Sequence, residues 1–166
     1  MRRALAFAAA VVFIAGCGEG PKHLPKSDYQ HGKAAFELLE QYEQTSSFQF
    51  QIAAEKQFEP LVSGHLDNGL LRSLMDYEES ITERLLANSQ LTKARADAIM
   101  AKHGVSMESL AEKQGELLHS LDQLEPIIKL CRDDAAQYFD ASAASTNTCD
   151  SELKVYRAKH DHKKEN

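Results

Sequence analysis

The chain has 166 residues, with 19 Lys and Arg against 25 Asp and Glu, a formal charge of −6, and no Trp. That length suits one domain with a single core. The acidic balance argues against a nucleic-acid partner and against docking on anionic lipid through a basic patch.

Met1-Arg2-Arg3 opens the chain with two positive charges, and Ala4 to Ala15 (ALAFAAAVVFIA) carries none. A basic start followed by an apolar run of about 7–15 residues is the pattern of a secretory signal peptide. A membrane-spanning helix needs about 20 apolar residues, so the run is too short for a permanent span. Small residues, Ala15 and Gly16, then precede Cys17.

Ile14-Ala15-Gly16-Cys17 resembles the lipobox of bacterial lipoproteins: an aliphatic residue, two small residues and a Cys. The resemblance covers residues 1 to 17 and implies nothing about the fold. It implies cleavage before Cys17, acylation of that residue and anchoring to a membrane through it. Two or three acyl chains on one residue anchor well, because each buried methylene contributes about 0.8 kcal/mol. With Gly18 rather than Asp after the Cys, the resemblance favours an outer-membrane lipoprotein, facing the periplasm or the cell surface. Loss of residues 1–16 would leave 17 basic and 25 acidic residues, a formal charge of −8.

Cys131 and Cys149 then remain as an even pair in an oxidising compartment, where a disulfide is expected. Closing that 18-residue loop would stabilise the fold by about 3 kcal/mol in the chain-entropy account.

Residues 17–27 read as an acylated Cys and an extended tether, GEGPKHLPKS after the Cys. Residues 28–160 read as one all-α helical bundle of about four to six helices, rich in Ala, Leu, Glu, Gln and Lys. Ser27 or Asp28 is expected to cap a first helix reaching about Gln44, with Tyr29, Ala35, Phe36, Leu39 and Tyr42 at helical spacing. Thr45-Ser46-Ser47 reads as a break. Phe48 to Ile52 (FQFQI) alternates with period two, a strand signal. With no partner strand its backbone would go unpaired, so Ser47–Glu59 is read as helix, ended or kinked by Pro60. On a helix Phe48 and Phe50 point to different faces. Either one of them is exposed as a partner surface, or the two fill a core split between neighbouring helices.

His65 to Gly69 (HLDNG) reads as a turn, with Asp67 or Asn68 as cap. A strong amphipathic helix follows from Leu70 to about Asn88, striped by Leu70, Leu74, Tyr77, Ile81 and Leu85. A shorter one runs from Leu91 to His103. Gly104 and Val105 then form a C-terminal corner, and Ser106 caps the next helix. The longest element is expected from Ser106 to about Ser142, kinked or divided near Pro126 on its solvent face. Two heptad series run through it: Met107, Gln114, Leu121, Ile128, Ala135, and Leu110, Leu117, Leu124, Cys131, Tyr138. All but Gln114 suit a core. Cys131 therefore points inward, and the disulfide would staple a last helix to this one. That last helix is capped by Asp150 or Ser151 and runs through Lys159, and residues 161–166 form a solvated tail.

Little of this points to catalysis. The chain has no G-x-S-x-G, H-E-x-x-H, glycine-rich phosphate loop or C-x-x-C. Glu116-Leu-Leu-His119 is a single Glu-x-x-His copy where a di-iron bundle needs two, and it lies off the seam. Met75, Met100, Met107, His103 and His119 are conceivable haem ligands, but methionine at helical spacing is commonly core filler. His160-Asp161-His162, with His23 and His31, lacks a fixed third metal ligand. The pairs Glu78-Glu79 and Asp133-Asp134 diverge by about 100° on a helix and read as solvated faces. No cofactor, metal site or catalytic residue is therefore expected. The expectation is a non-enzymatic binding or structural protein of the cell envelope with a protein partner. The alternative is a carrier holding a small ligand, haem or a metal in the bundle.

Overall fold

A computed structural model describes residues 24–62, 69–100, 106–140 and 142–161. Every regular element among them is a helix: α1 Lys26–Thr45, α2 Phe48–Val62, α3 Gly69–Met100, α4 Met107–Ala136 and α5 Cys149–Asp161. The all-α bundle read from the sequence is therefore the fold observed.

Side-chain pairs set the directions. Gly32 lies against Leu70, and the Tyr42 hydroxyl lies 3.5 Å from Thr82 Oγ1, so α1 and α3 run parallel. His31 meets Gln57 while Tyr42 meets Phe48, so α2 runs back along α1. Gln114 reaches the Ala94 carbonyl and Arg84 reaches Glu125, so α4 returns along α3. Arg72 pairs with Asp150 and Arg157 with Glu83, so α5 again runs with α3. The core between them holds Leu39, Tyr42, Leu74, Tyr77, Ile81, Leu124, Ile128 and Cys131. Ala35, Leu39 and Tyr42 of α1 and Leu70, Leu74, Tyr77 and Ile81 of α3 are buried as their spacing predicts, whereas Tyr29 is 37% exposed.

α1 ends where Ser46 turns left-handed (φ 57°) and its N–H returns to the Tyr42 carbonyl at 2.8 Å. The α1 start differs from expectation. The helix begins at Lys26 behind Pro25, and the Ser27 hydroxyl bonds Asp28 rather than capping a backbone N–H. Ser106 occupies the N-cap position of α4, but its side chain makes no cap bond.

FQFQI is helical. Its period-two alternation loses to a helical stripe of Phe50, Ala54, Phe58 and Leu61, which joins the core. Phe48 is left 61% exposed while Phe50 is half-buried. Pro60 does not end α2, which continues to Val62.

α3 corrects the expected break at Asn88. It is one helix of 32 residues, because Ala87, Leu91 and Ala94 carry its buried stripe through the polar stretch. Weak helix formers such as Asn88 and Ser89 sit on the exposed face, where packing outweighs propensity. α4 likewise passes Pro126 without a boundary, with that residue on the exposed face, and ends at Ala136 rather than Ser142. The lower seam is buried as expected, but Met107 is 67% exposed. The reason is geometric. Arg84 of α3 is the level at which α1 ends, and α5 reaches little further. Above it, among the described residues, α3 and α4 have only each other. Ala87 to Met100, about 20 Å of helix, projects from the bundle with its α4 partner.

Gly115 lies on this projecting arm, and a Cβ there would meet nothing within 4 Å. Gly115→Ala should therefore raise stability by about 0.5–1 kcal/mol, the ordinary gain in helix propensity. A urea midpoint unchanged or lowered would show that Gly115 is needed for close approach.

The expected turn at residues 65–68, the Gly104 corner, and the tether and tail segments 17–23 and 162–166 lie outside the described residues.

Candidate functional site

Three features stand out: a corner built on the cysteines, an open groove on the projecting arm, and a carboxyl cluster along α3.

Cys131 and Cys149 come together. Their Sγ atoms lie 1.98 Å apart and their Cα atoms 4.8 Å apart, a geometry that accommodates a disulfide. Both are buried. Heptad spacing places Cys131 inward, and the loop after α4 brings Cys149 back to it.

That loop is organised by a residue the sequence reading misplaced. Asp134 is 4% exposed, not part of a solvated face. Its Oδ1 accepts the N–H groups of Thr146 and Asn147, both at 2.9 Å, and the Ser145 hydroxyl at 2.9 Å. Its Oδ2 accepts the Cys149 N–H at 3.0 Å. A carboxylate against the first turn of α5 caps orphan donors and offsets the positive end of the helix. The cap of α5 thus comes from α4, across 15 residues, and not from Asp150 or Ser151. Asp150 instead pairs with Arg72 and, at 2.9 Å, with Lys154. Its neighbour Asp133 does behave as surface, 4.0 Å from Arg132.

Above α5 the cleft between α3 and α4 stays open. α5 fills its lower part with Leu153 and Tyr156, and the Tyr156 and Ser120 hydroxyls bond at the boundary. The open part has a volume of about 670 Å3. Ala87, Ala94, Leu117 and Ser120 line it, with Leu86, 44% exposed, at its side. Glu83 and Lys93 stand on the α3 wall, and Glu112, Lys113 and Glu116 stand on the α4 wall. The arm also exposes Ile99, Met100 and Leu118.

Glu78 also departs from the expected solvated face, and Asp76 on the same helix is half-buried. Burial, ahead of the charges of Asp150 and Glu79, pushes the Asp76 carboxyl up to about 6. Glu78 is half-buried beside α2, and Gln51 Nε2 donates to it at 2.7 Å. Its neighbour Glu79 pairs with Arg157 of α5. Across the bundle, Tyr77 donates to Glu43, and Arg84 donates to the Glu43 carbonyl oxygen at 2.7 Å. Burial, then its own hydrogen bond to the Glu43 carboxylate, raises the Tyr77 phenol far above its usual range.

Among the described residues the conceivable metal and haem ligands do not converge. Met75, Met100 and Met107 are exposed, so they are not core filler either. His119 bonds Gln123 at 2.9 Å on the surface, and His31 bonds Gln57 at 2.9 Å. His160 stacks on Tyr156 with ring centroids 4.3 Å apart. No group of three or more His, Cys, Asp or Glu placed to hold a metal occurs among the described residues. Cys17, His23, His103 and His162 lie outside them.

No helix among the described residues is long and apolar enough to cross a membrane. Comparison with protein-family models, curated proteins and solved structures finds no match.

Proposed function

We propose that this chain is a lipid-anchored protein of the cell envelope, held by acylated Cys17, whose task is to bind a protein partner rather than to catalyse a reaction. The observation that carries the binding role is the open groove above α5. α5 shows that a helix fits the α3–α4 cleft, and the same cleft continues unfilled along the projecting arm. Its floor of Ala, Ser and Leu permits close approach, and each wall carries charges of both signs, Glu83 and Lys93 on α3 and Glu112, Lys113 and Glu116 on α4. A partner helix with an apolar, small-residue face and charges of both signs on its flanks fits these walls. The oxidised Cys131–Cys149 pair belongs to the same reading, since an exported domain matures in an oxidising compartment.

The carrier reading has less support. The bundle interior between the helices is occupied by Tyr42, Tyr77, Leu74, Ile81 and Leu124, all fully buried. A ligand enclosed there would have to displace them.

Two experiments test the proposal. Cys17→Ser should move the protein from the membrane to the soluble fraction. Retention at the membrane without an acyl label would end the anchoring reading. Crosslinking and affinity capture of the acylated protein from its own host should return one discrete partner, and Leu86→Glu in the groove should abolish that capture. A preparation that instead carries colour, metal or a small molecule, with no partner, would establish the carrier in its place.

A further inference from the structure

α2 packs mainly on α1 and meets α3 along a short seam. On its outer side Phe48, Ile52, Glu55, Glu59 and Val62 recur at intervals of four and three, the spacing of a helix-packing seam. Among the described residues no helix covers that stripe: Phe48, Ile52 and Val62 each keep more than half of their surface in solvent, as does Met75 of α3. α3 offers a matching row, Leu71, Met75, Glu78 and Thr82, at intervals of four, three and four. The two rows run side by side in opposite directions. Phe48 packs on Tyr42, whose hydroxyl lies 3.5 Å from Thr82 Oγ1, and Gln51 donates to Glu78 at 2.7 Å. An open cleft of about 560 Å3 lies along this seam, lined by Gln51, Leu71, Met75, Glu78 and Thr82.

The charge on this face has one dominant sign. Glu55 stands on α2, and Asp76, Glu78 and Glu79 stand on α3 at the cleft. Both arginines that line the cleft are committed, Arg72 to Asp150 and Arg157 to Glu79 and Glu83. Glu55, Asp76 and Glu78 form no ion pair among the described residues. Such a face repels anionic lipid and acidic proteins and attracts a cationic segment. α5 already meets α3 in this manner. It lays Leu153 and Tyr156 into the neighbouring cleft and brings Arg157 to the α3 carboxylates Glu79 and Glu83.

We propose that the α2–α3 face is a second docking surface, distinct from the groove above α5, and that it takes a basic amphipathic helix of a partner protein. The apolar stripe of that helix lies on Phe48, Ile52, Leu71 and Met75. Its Lys or Arg side chains, on the flanks of the stripe, pair with Glu55, Asp76 and Glu78. Apolar contact supplies the affinity, and the carboxylates select the partner. Phe48 to Val62 spans about 21 Å of helix, so the partner segment contributes about four turns.

The probe is a synthetic helix of about 14 residues made of Leu and Lys, with Leu at intervals of three and four. Its control is the same peptide with Glu in place of Lys. By calorimetry the Leu–Lys peptide should bind the purified protein and the Leu–Glu peptide should not. Ile52→Ser removes apolar contact and Glu55→Lys reverses one charge, and each should weaken binding about tenfold. Both positions are exposed, so both variants should keep the wild-type urea midpoint. Leu86→Glu, in the groove above α5, should leave the affinity unchanged. The proposal falls if the Leu–Lys peptide does not bind, or if either Ile52→Ser or Glu55→Lys binds it as tightly as the wild type. It falls equally if the Leu–Glu peptide binds as well, or if Leu86→Glu abolishes binding, which would put the peptide in the α3–α4 groove. A dimer seen in sedimentation and broken by Ile52→Ser would overturn it too, by giving the face to a second copy of this chain.

Discussion

Asp134→Ala should destabilise the protein by about 3–4 kcal/mol, measured as a shift in the urea unfolding midpoint at unchanged slope. One buried carboxylate there accepts three backbone N–H groups and a hydroxyl. Hydrogen bonds to a charged group contribute about 1.5–3 kcal/mol each, and a buried donor left alone costs about 1–3 kcal/mol. These terms do not add, because one side chain serves all four and water can reach the Ser145 and Asn147 side of the loop. The Cys149 N–H is the buried member, and its loss of a partner dominates. Asp134→Asn separates charge from geometry. It keeps one acceptor oxygen and turns an amide NH2 toward the other donors, so a loss of about 1–2 kcal/mol is expected. If Asp134→Ala shifts stability by less than about 0.5 kcal/mol, the corner is not organised by this residue.

Opening the Cys131–Cys149 link should have an effect of similar size. The sequence separation is 18, for which loop-closure entropy of the unfolded chain corresponds to about 3 kcal/mol. The link joins α4 to the first residue of α5, so reduction should free α5 before the rest of the bundle. Hydrogen exchange should show α5 amides losing protection ahead of α1 and α3. The double variant Cys131→Ser with Cys149→Ser should match the reduced wild type. Equal thiol counts before and after reduction of the unfolded protein would show that the bond does not form. Asp134 and the cysteines hold the same corner, so their effects should couple. Once the link is open, Asp134→Ala should cost less than in the oxidised protein, because the Cys149 N–H is then no longer held buried.

Much of the bundle was legible in the chain. Leu70, Leu74, Tyr77 and Ile81 recur at helical spacing, and all four are buried. The heptad count aims Cys131 inward, and it is fully buried beside Cys149. Where the spacing continues, even weak helix formers follow it, as Asn88 and Ser89 do. Exposure was harder to read. Met107 satisfies the heptad yet stands in solvent, because periodicity says which residues share a face but not whether a neighbour covers it.

The same gap hid the polar residues that organise the structure. Asp133 and Asp134 are indistinguishable as neighbours in a helix, and so are Glu78 and Glu79. One of each pair is desolvated by a segment elsewhere in the chain: Asp134 by the loop before α5, Glu78 by α2.

The sequence by itself thus determined the all-α class, most of the inward stripes and the cysteine that could meet a partner, because these depend on local spacing along a helix. Only the tertiary structure decided which carboxylates are buried, where the α3–α4 arm outruns its neighbours, and which groove α5 leaves open. Those outcomes depend on the relative lengths of packed helices and on contacts between residues far apart in the chain, and no local pattern records either.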